Sequence, residues 1–567
     1  MMAVNWEILD IVSGDQALTS MLLFWGMMLL TYFLMQNGLS IFNDVTKSMS
    51  RFMLEKALGP GIDLVEDREG AASKAWFIQG MMWLIAASTL AFEGLWLKQD
   101  PTALHSLSAW GYDPTASSLL YASNFAALYG GVGMLLVGSS LHIIPRLSGT
   151  DLASERNATL VSFLWTLSVV FLVIAAHDSV ILGLNIFLIA TAMHTLGFVA
   201  VAINLLLTVS ERKGALPIPG WLIMMGVLAD PISVVATVLT GSIETGTGQW
   251  MLSQMVGGTF FFATAAGVAL YVSSSASGNP LWSRSLGAAT LVGALASVNP
   301  LGASNGRMAA DMLGVAVEQL QPSSQDGIAM AFLMALAMIP IMALAANLMM
   351  TLRGGDAFIE NPDSAGVPEL NLGASMLLPL AAACLFVQSD ALSAAPELAG
   401  MSETMLLMAI WLVLVPFSLG ASLHLFPTVT GRSLLSRNRA RWAYWMMGGG
   451  ALLGLTVSLM SDLIDMSLIE AAVEDPSTLS ADVQAVGAIL FYGTTVGTIM
   501  HSLNSVSGLF RGAMADADRA TSSSITMENY SLVTPTSVRK ILAGGADLDT
   551  TVVPVGESDD AGGPTEL

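Results

Sequence analysis

Apolar residues in this chain run in blocks of about twenty, broken by short polar loops, with no alternation of period two. A bilayer core about 30 Å thick takes roughly 20 apolar residues per helix. Thirteen blocks meet or approach that length: Ala17–Phe42, Ala75–Leu97, Ser117–Ile144, Ala158–Ala176, Ile181–Val209, Pro219–Leu239, Trp250–Val272, Leu281–Leu301, Gly327–Leu352, Leu372–Val387, Met405–Phe426, Trp442–Met460 and Val483–Leu509. The tenth is the weakest. The pattern predicts an all-α integral membrane protein of thirteen transmembrane helices. The first block has no basic stretch before it and no small-residue cleavage site, so it reads as a retained helix.

The basic residues orient the bundle. When alternate loops are assigned to opposite sides, 19 of the 21 Lys and Arg residues fall on one side, and only Lys98 and Arg307 on the other. A miscounted helix would scramble that split. By the positive-inside rule the N-terminus is outside and the C-terminus cytoplasmic. This predicts a multi-pass protein of a prokaryotic plasma membrane.

Composition sharpens the reading. Of 567 residues, 54% are hydrophobic and 11% charged, and mean hydropathy is +0.67. A net charge of −22 disfavours nucleic acid as a partner. The acidic residues gather in outer loops (Asp311, Glu318, Asp326, Glu470, Glu474, Asp475) and in the tail. They suit a saline habitat or an outer docking face for a basic partner such as a small cytochrome. The single cysteine, Cys384, excludes an internal disulfide and thiolate clusters. The chain divides into residues 1–74 (first helix and a cytoplasmic loop), a bundle over 75–512, and an acidic tail over 513–567, expected to be disordered.

The chain also repeats itself. GSSLHIIPRLSGTDLASERN (Gly138–Asn157) and GASLHLFPTVTGRSLLSRNR (Gly420–Arg439) agree at eight of twenty positions. Each sits where an apolar block runs into a basic loop, which points to an internally symmetric bundle.

These segments carry a family resemblance. LHIIPRLSG, AINLLLTVSERKGALPIPGW (Ala202–Trp221), GQWMLSQMVGGTFFF (Gly248–Phe262) and LHLFPTVTGRSLLSRNRARWAYW (Leu423–Trp445) resemble, in order and spacing, subunit I of the haem–copper oxidases. The resemblance covers residues 75–509. It implies a twelve-helix cytochrome c oxidase subunit I-like bundle of three four-helix arcs, here with one added N-terminal helix. It also implies haem and copper held by histidines.

Those histidines are missing. The resemblance places the family's haem ligand of the second helix near Asn124 and Phe125. Its copper histidine, gating glutamate and redox tyrosine fall at Gly258, Phe260 and Phe262. The histidine pair falls at Asn299 and Pro300, the proton-path lysine at Leu344, and the two haem ligands of the tenth helix at Met405 and Leu407. No haem or copper is therefore predicted. One or two of Phe260, Phe261 and Phe262 are expected to fill the centre, meeting Met405, Leu407 and Met408.

The six histidines lie elsewhere. His105 is expected in an outer loop, and His177 with Asp178 at an outer helix end. His142 and His424 form the repeat pair, expected at the interface as caps or headgroup partners, or else at a site between arcs. His194 and His501 lie deeper; each is functional, or packed against a Ser or a backbone carbonyl. Asp230, beside Pro231, is either a protonatable group in a cavity or a neutral acid bonded to the broken turn.

Three functions remain open. The first is a non-redox accessory or structural subunit of a respiratory-type complex, with lipid and other membrane subunits as partners. The second is an active terminal oxidase or nitric oxide reductase with rearranged ligands. The third is a proton-coupled transporter using Asp230, His194 or His501.

Overall fold

The computed structural model describes residues 16–36, 47–52, 68–240, 246–296, 324–353, 365–388, 401–471 and 476–514, with positions 301, 308, 311 and 312. The helices in chain order are α1 Gln16–Gln36, α2 Ala71–Gln99, α3 Ala116–Ser148, α4 Glu155–His177, α5 Ile186–Ser210, α6 Ile218–Thr240, α7 Gly246–Ser277, α8 Arg284–Ala296, α9 Ser324–Arg353, α10 Val367–Gln388, α11 Ser402–Thr430, α12 Arg437–Glu470 and α13 Pro476–Arg511. A two-residue hairpin, Val180–Ile181 with Leu184–Asn185, joins α4 to α5. Eleven described helices are long and apolar enough to cross a membrane; the apolar parts of α1 and α8, Leu22–Gln36 and Arg284–Ala296, are shorter. The chain is an all-α integral membrane protein.

Three helices form the centre. The apolar windows of α3, α7 and α11 are 100%, 94% and 100% buried, whereas those of the other spanning helices lie between 22% and 72%. The three pack on one another.

Their ends are built alike. The helices stop at Gly149, Gly278 and Gly431, whose φ angles of 63°, 71° and 69° are left-handed, a conformation that costs glycine nothing. Five residues later stand Ser154, Ser283 and Ser436. Each serine hydroxyl accepts from the backbone N–H three residues on, at 3.2–3.3 Å, and so caps the start of α4, α8 or α12.

Each capping serine is then clamped from the neighbouring helix by one buried asparagine. Asn204 of α5 accepts from the Ser154 N–H (3.2 Å) and donates to its carbonyl (2.8 Å). Asn347 of α9 does the same to Ser283 (3.1 and 3.0 Å), and Asn504 of α13 to Ser436 (2.9 and 3.0 Å). A buried peptide group left unpaired is costly, so an amide that satisfies both of its ends locks the helix pair in place.

The two-copy repeat is thus threefold. The additional copy, second in chain order, is GVALYVSSSASGNPLWS from Gly267 to Ser283; it keeps the first glycine, the leucine three residues on, the left-handed glycine, the next leucine and the serine. Gly138, Gly267 and Gly420 do one job. A Cβ at each would collide with the preceding outer helix: with Trp76 of α2 at 2.8 Å, with the Pro219 carbonyl of α6 at 2.6 Å, and with the Gly366 carbonyl just before α10 at 2.7 Å. Small residues at helix crossings permit such close approach.

A second equivalence runs through α3 and α11. Each contains a π-helical stretch, Ala126–Val132 and Ile410–Leu414, at matching distances before its left-handed glycine. Such bulges often mark functional or formerly functional positions.

Several expectations need amendment. The tenth block, placed at Leu372–Val387, belongs to a longer helix that begins at Val367; Glu369 lowered the hydropathy of its first turn. Phe260, Phe261 and Phe262 are all buried, at 0%, 2% and 6% exposure. Divergent directions on α7 all point into protein because neighbours surround that helix. The tail beyond Met514 lies outside the described residues, as do Asn299 and Pro300; Gly258 lies on α7, but its surroundings are not described.

Candidate functional site

Among the described residues, three groups with buried titratable side chains stand out inside the apolar bundle. The first is where the three central helices converge, at the end that carries the basic loops. The repeat places His142, Tyr271 and His424 at equivalent positions, each directly after the repeated leucine. His142 and Tyr271 are buried, and His142 and His424 lie within electrostatic reach of each other. The His424 Nε2 is 3.0 Å from the Ser275 hydroxyl of α7. His142 is buried and His424 half-buried at this convergence.

His142 also borders a cavity of about 360 Å³ with Arg146, Glu155 and Lys213. Arg146 lies 3.6 Å from Glu69. Glu155 accepts from the N–H groups of Gly70 (3.0 Å) and Ala72 (2.9 Å), so it is committed to capping α2.

The second group is aromatic and lies between α3, α4, α5, α6 and α7. The His194 ring packs tilted against Trp165 at 4.1 Å and edge-on against Tyr129 at 4.8 Å, and its Nδ1 is 3.1 Å from the Ser168 hydroxyl. The expected satisfaction by a serine is therefore present on one nitrogen, while Nε2 has no hydrogen-bond partner. Phe198, Phe260 and Phe261 continue the cluster. Asp230, 8% exposed, lies within electrostatic reach of Tyr129. Its Oδ2 has no hydrogen-bond partner.

The third group is a pair that sequence reasoning half missed. Glu369, in the first turn of α10, and His501 of α13 are 0% and 1% exposed, and Glu369 Oε1 is 3.5 Å from His501 Nε2. Neither carboxyl oxygen and neither ring nitrogen has a hydrogen-bond partner. His501 was singled out from sequence; Glu369 was not, because it fell at the edge of a weak apolar block. An acid at such an edge, opposite an intramembrane histidine, was the available signal.

The remaining singled-out residues scatter. Asn124 is buried with an unpartnered Oδ1. Phe125 stacks on Tyr121 and Tyr129. Leu344, Met405 and Leu407 are buried core. His105 lies in a 3₁₀ turn, 3.6 Å from Asp113 and exposed. His177 ends α4 with its ring against Tyr112. Among the described residues no group of three or more His, Cys, Asp or Glu side chains could hold a metal ion.

No protein-family model matches this chain, and no curated protein is detectably similar to it.

Proposed function

We propose that the chain is a non-redox membrane subunit built on the haem–copper oxidase subunit I plan, acting as an accessory or structural component of a respiratory-type complex. The threefold Gly–Ser–Asn unit supports the plan of three arcs around a central trio, with α1 as the added helix. The non-redox reading rests above all on one observation. The positions that the resemblance assigns to the two haem ligands on α11 hold Met405 and Leu407, and the gating-glutamate position on α7 holds Phe260, all buried in packed protein. None of the three can donate a nitrogen to iron or copper. Phe260 and Leu407 carry no atom that could ligate iron or copper, and the one thioether among them, Met405, is packed as core.

Filling that volume is what stability demands. A haem-sized void would cost roughly 24 cal/mol per Å³ in lost contacts. Aromatic and methionine side chains replace the contacts a cofactor would make.

The test is purification from native membranes in mild detergent, with a reduced-minus-oxidised spectrum and metal analysis. The expected result is a complex with at least one other membrane subunit and no stoichiometric haem or copper on this chain. One haem per chain would return the oxidase reading to first place. A homogeneous single chain would remove the accessory role.

A second reading, a proton-coupled transporter, is favoured by Asp230, whose unpartnered oxygen lies near Tyr129 inside the bundle. Reconstituted vesicles carrying a pH-sensitive dye distinguish it: a proton leak abolished by Asp230→Asn supports transport.

A further inference from the structure

We propose that Glu369 and His501 form a proton-binding site inside the bundle: a protonated carboxyl facing a neutral imidazole. The site stands on its own geometry and does not depend on the subunit reading above.

The internal repeat supplies the control. If these two residues served the scaffold, the other copies would carry polar groups at the same places. Three residues before the clamping asparagine, α13 has His501, while α5 has Val201 and α9 has Leu344. Gly420 meets Glu369 and Leu370 of α10 where Gly267 meets Pro219 and Ile223 of α6, so the counterpart of Glu369 is Leu222. Val201, Leu344 and Leu222 are all buried and apolar. The copy built on α6, α7 and α9 closes with Leu222 and Leu344 at these two places, so the fold does not require the pair there.

Its chemistry follows from isolation. An ion pair withdrawn from water repays its desolvation only when further hydrogen bonds satisfy both partners. Here all four polar atoms lack them. The net-neutral form with the proton on the carboxyl avoids two poorly solvated charges. Removing that proton leaves one buried anion, and adding another leaves one buried cation; each is costly in a membrane interior. The pair therefore keeps a single proton until a nearby charge or entering water changes the balance.

Tyr444 of α12 is in electrostatic contact with Glu369. It is half-buried, and the next residue, Trp445, is exposed. From α11 the nearest titratable group is His424, one turn beyond Gly420 and bonded to Ser275. From α7 it is Tyr271, at the equivalent level. The cations on the neighbouring helices lie in the outer shell at helix ends: Lys74 of α2 is partly buried, and Arg353, Arg437, Arg439, Arg441 and Arg511 are exposed.

Infrared difference spectroscopy on the full chain in lipid tests the site. At neutral pH a protonated-carboxyl band is expected that shifts in D₂O, disappears in Glu369→Gln and changes frequency in His501→Asn. A spectrum in which Glu369→Gln removes no such band overturns the proposal, as does a Glu369 band that never shifts in D₂O. Should Glu369→Gln fail to fold, Glu369→Asp replaces it: a moved band supports the site, and an unchanged one overturns it.

Discussion

In the first copy of the repeated unit, Gly138 lets α3 close on Trp76 and Phe77; in the third, Gly420 brings α11 against Gly366 and Glu369. Both copies end in a left-handed glycine, a capping serine and a two-way asparagine clamp. The backbone solution is the same, and what fills the crossing is not. Aromatic rings pack the first crossing; an acid with a histidine opposite marks the third. Features shared by all copies belong to the fold. Features confined to one copy are the places to look for function, and this chain carries that comparison within itself.

The largest expected effect lies at the shared crossing. Replacing Gly420 by Leu drives a side chain into the Gly366 carbonyl and the Glu369 Cβ, which a Cβ alone would already approach to 2.7 and 3.0 Å. Overpacking of this kind costs about 1–3 kcal/mol or more, so little folded protein should survive detergent extraction. Gly449→Ala is the control, because nothing lies within 4 Å of a Cβ there. A folded, monodisperse Gly420→Leu would show that α10 and α11 do not cross in backbone contact.

Next come the clamps. Asn204→Leu, Asn347→Leu and Asn504→Leu each leave one half-buried serine N–H without its partner, at about 1–3 kcal/mol, while the serine carbonyl keeps the N–H of the residue four positions on. Thermal unfolding of the three variants should show losses of similar size. A large loss in one and none in the others would break the threefold reading.

Ser168→Ala is a smaller change. It removes the one hydrogen-bond partner of His194, whose ring Trp165 and Tyr129 still hold by packing. The expected loss is about 1 kcal/mol in an unfolding titration. A loss several times larger would mean that the serine orients His194 for a purpose beyond packing.

Much of this was legible in the sequence, and the rest was hidden for definite reasons. Apolar blocks and loop charges gave the helices because hydrophobic length is a strong signal in a membrane protein. Two copies of the unit were visible through shared His and Pro residues. The middle copy was not, since Tyr271 and Ser274 stand where the others have His and Pro, and only backbone geometry and the Asn347 clamp reveal it. The burial of three successive phenylalanines escaped helical-wheel reasoning, which assumes one lipid-facing side. Glu369 escaped because hydropathy treats an acid as the end of a helix, whereas here it lies in the first turn and turns inward.

The smallest effect on stability is expected where the copies differ. The double variant Glu369→Leu, His501→Val installs at the third crossing what the second and first copies carry, Leu222 and Val201. Exchanging a buried polar or ionic pair for apolar residues of similar volume is often neutral, or stabilising by about 1–4 kcal/mol. The double variant should therefore unfold at the wild-type temperature or above it, while each single variant, leaving one polar group alone, should unfold lower. The pair then couples strongly in a double-mutant cycle, as groups in direct contact do. Additive losses from the two single changes, with the double variant the least stable of all, would mean that Glu369 and His501 serve the fold independently and that the difference between the copies is structural after all.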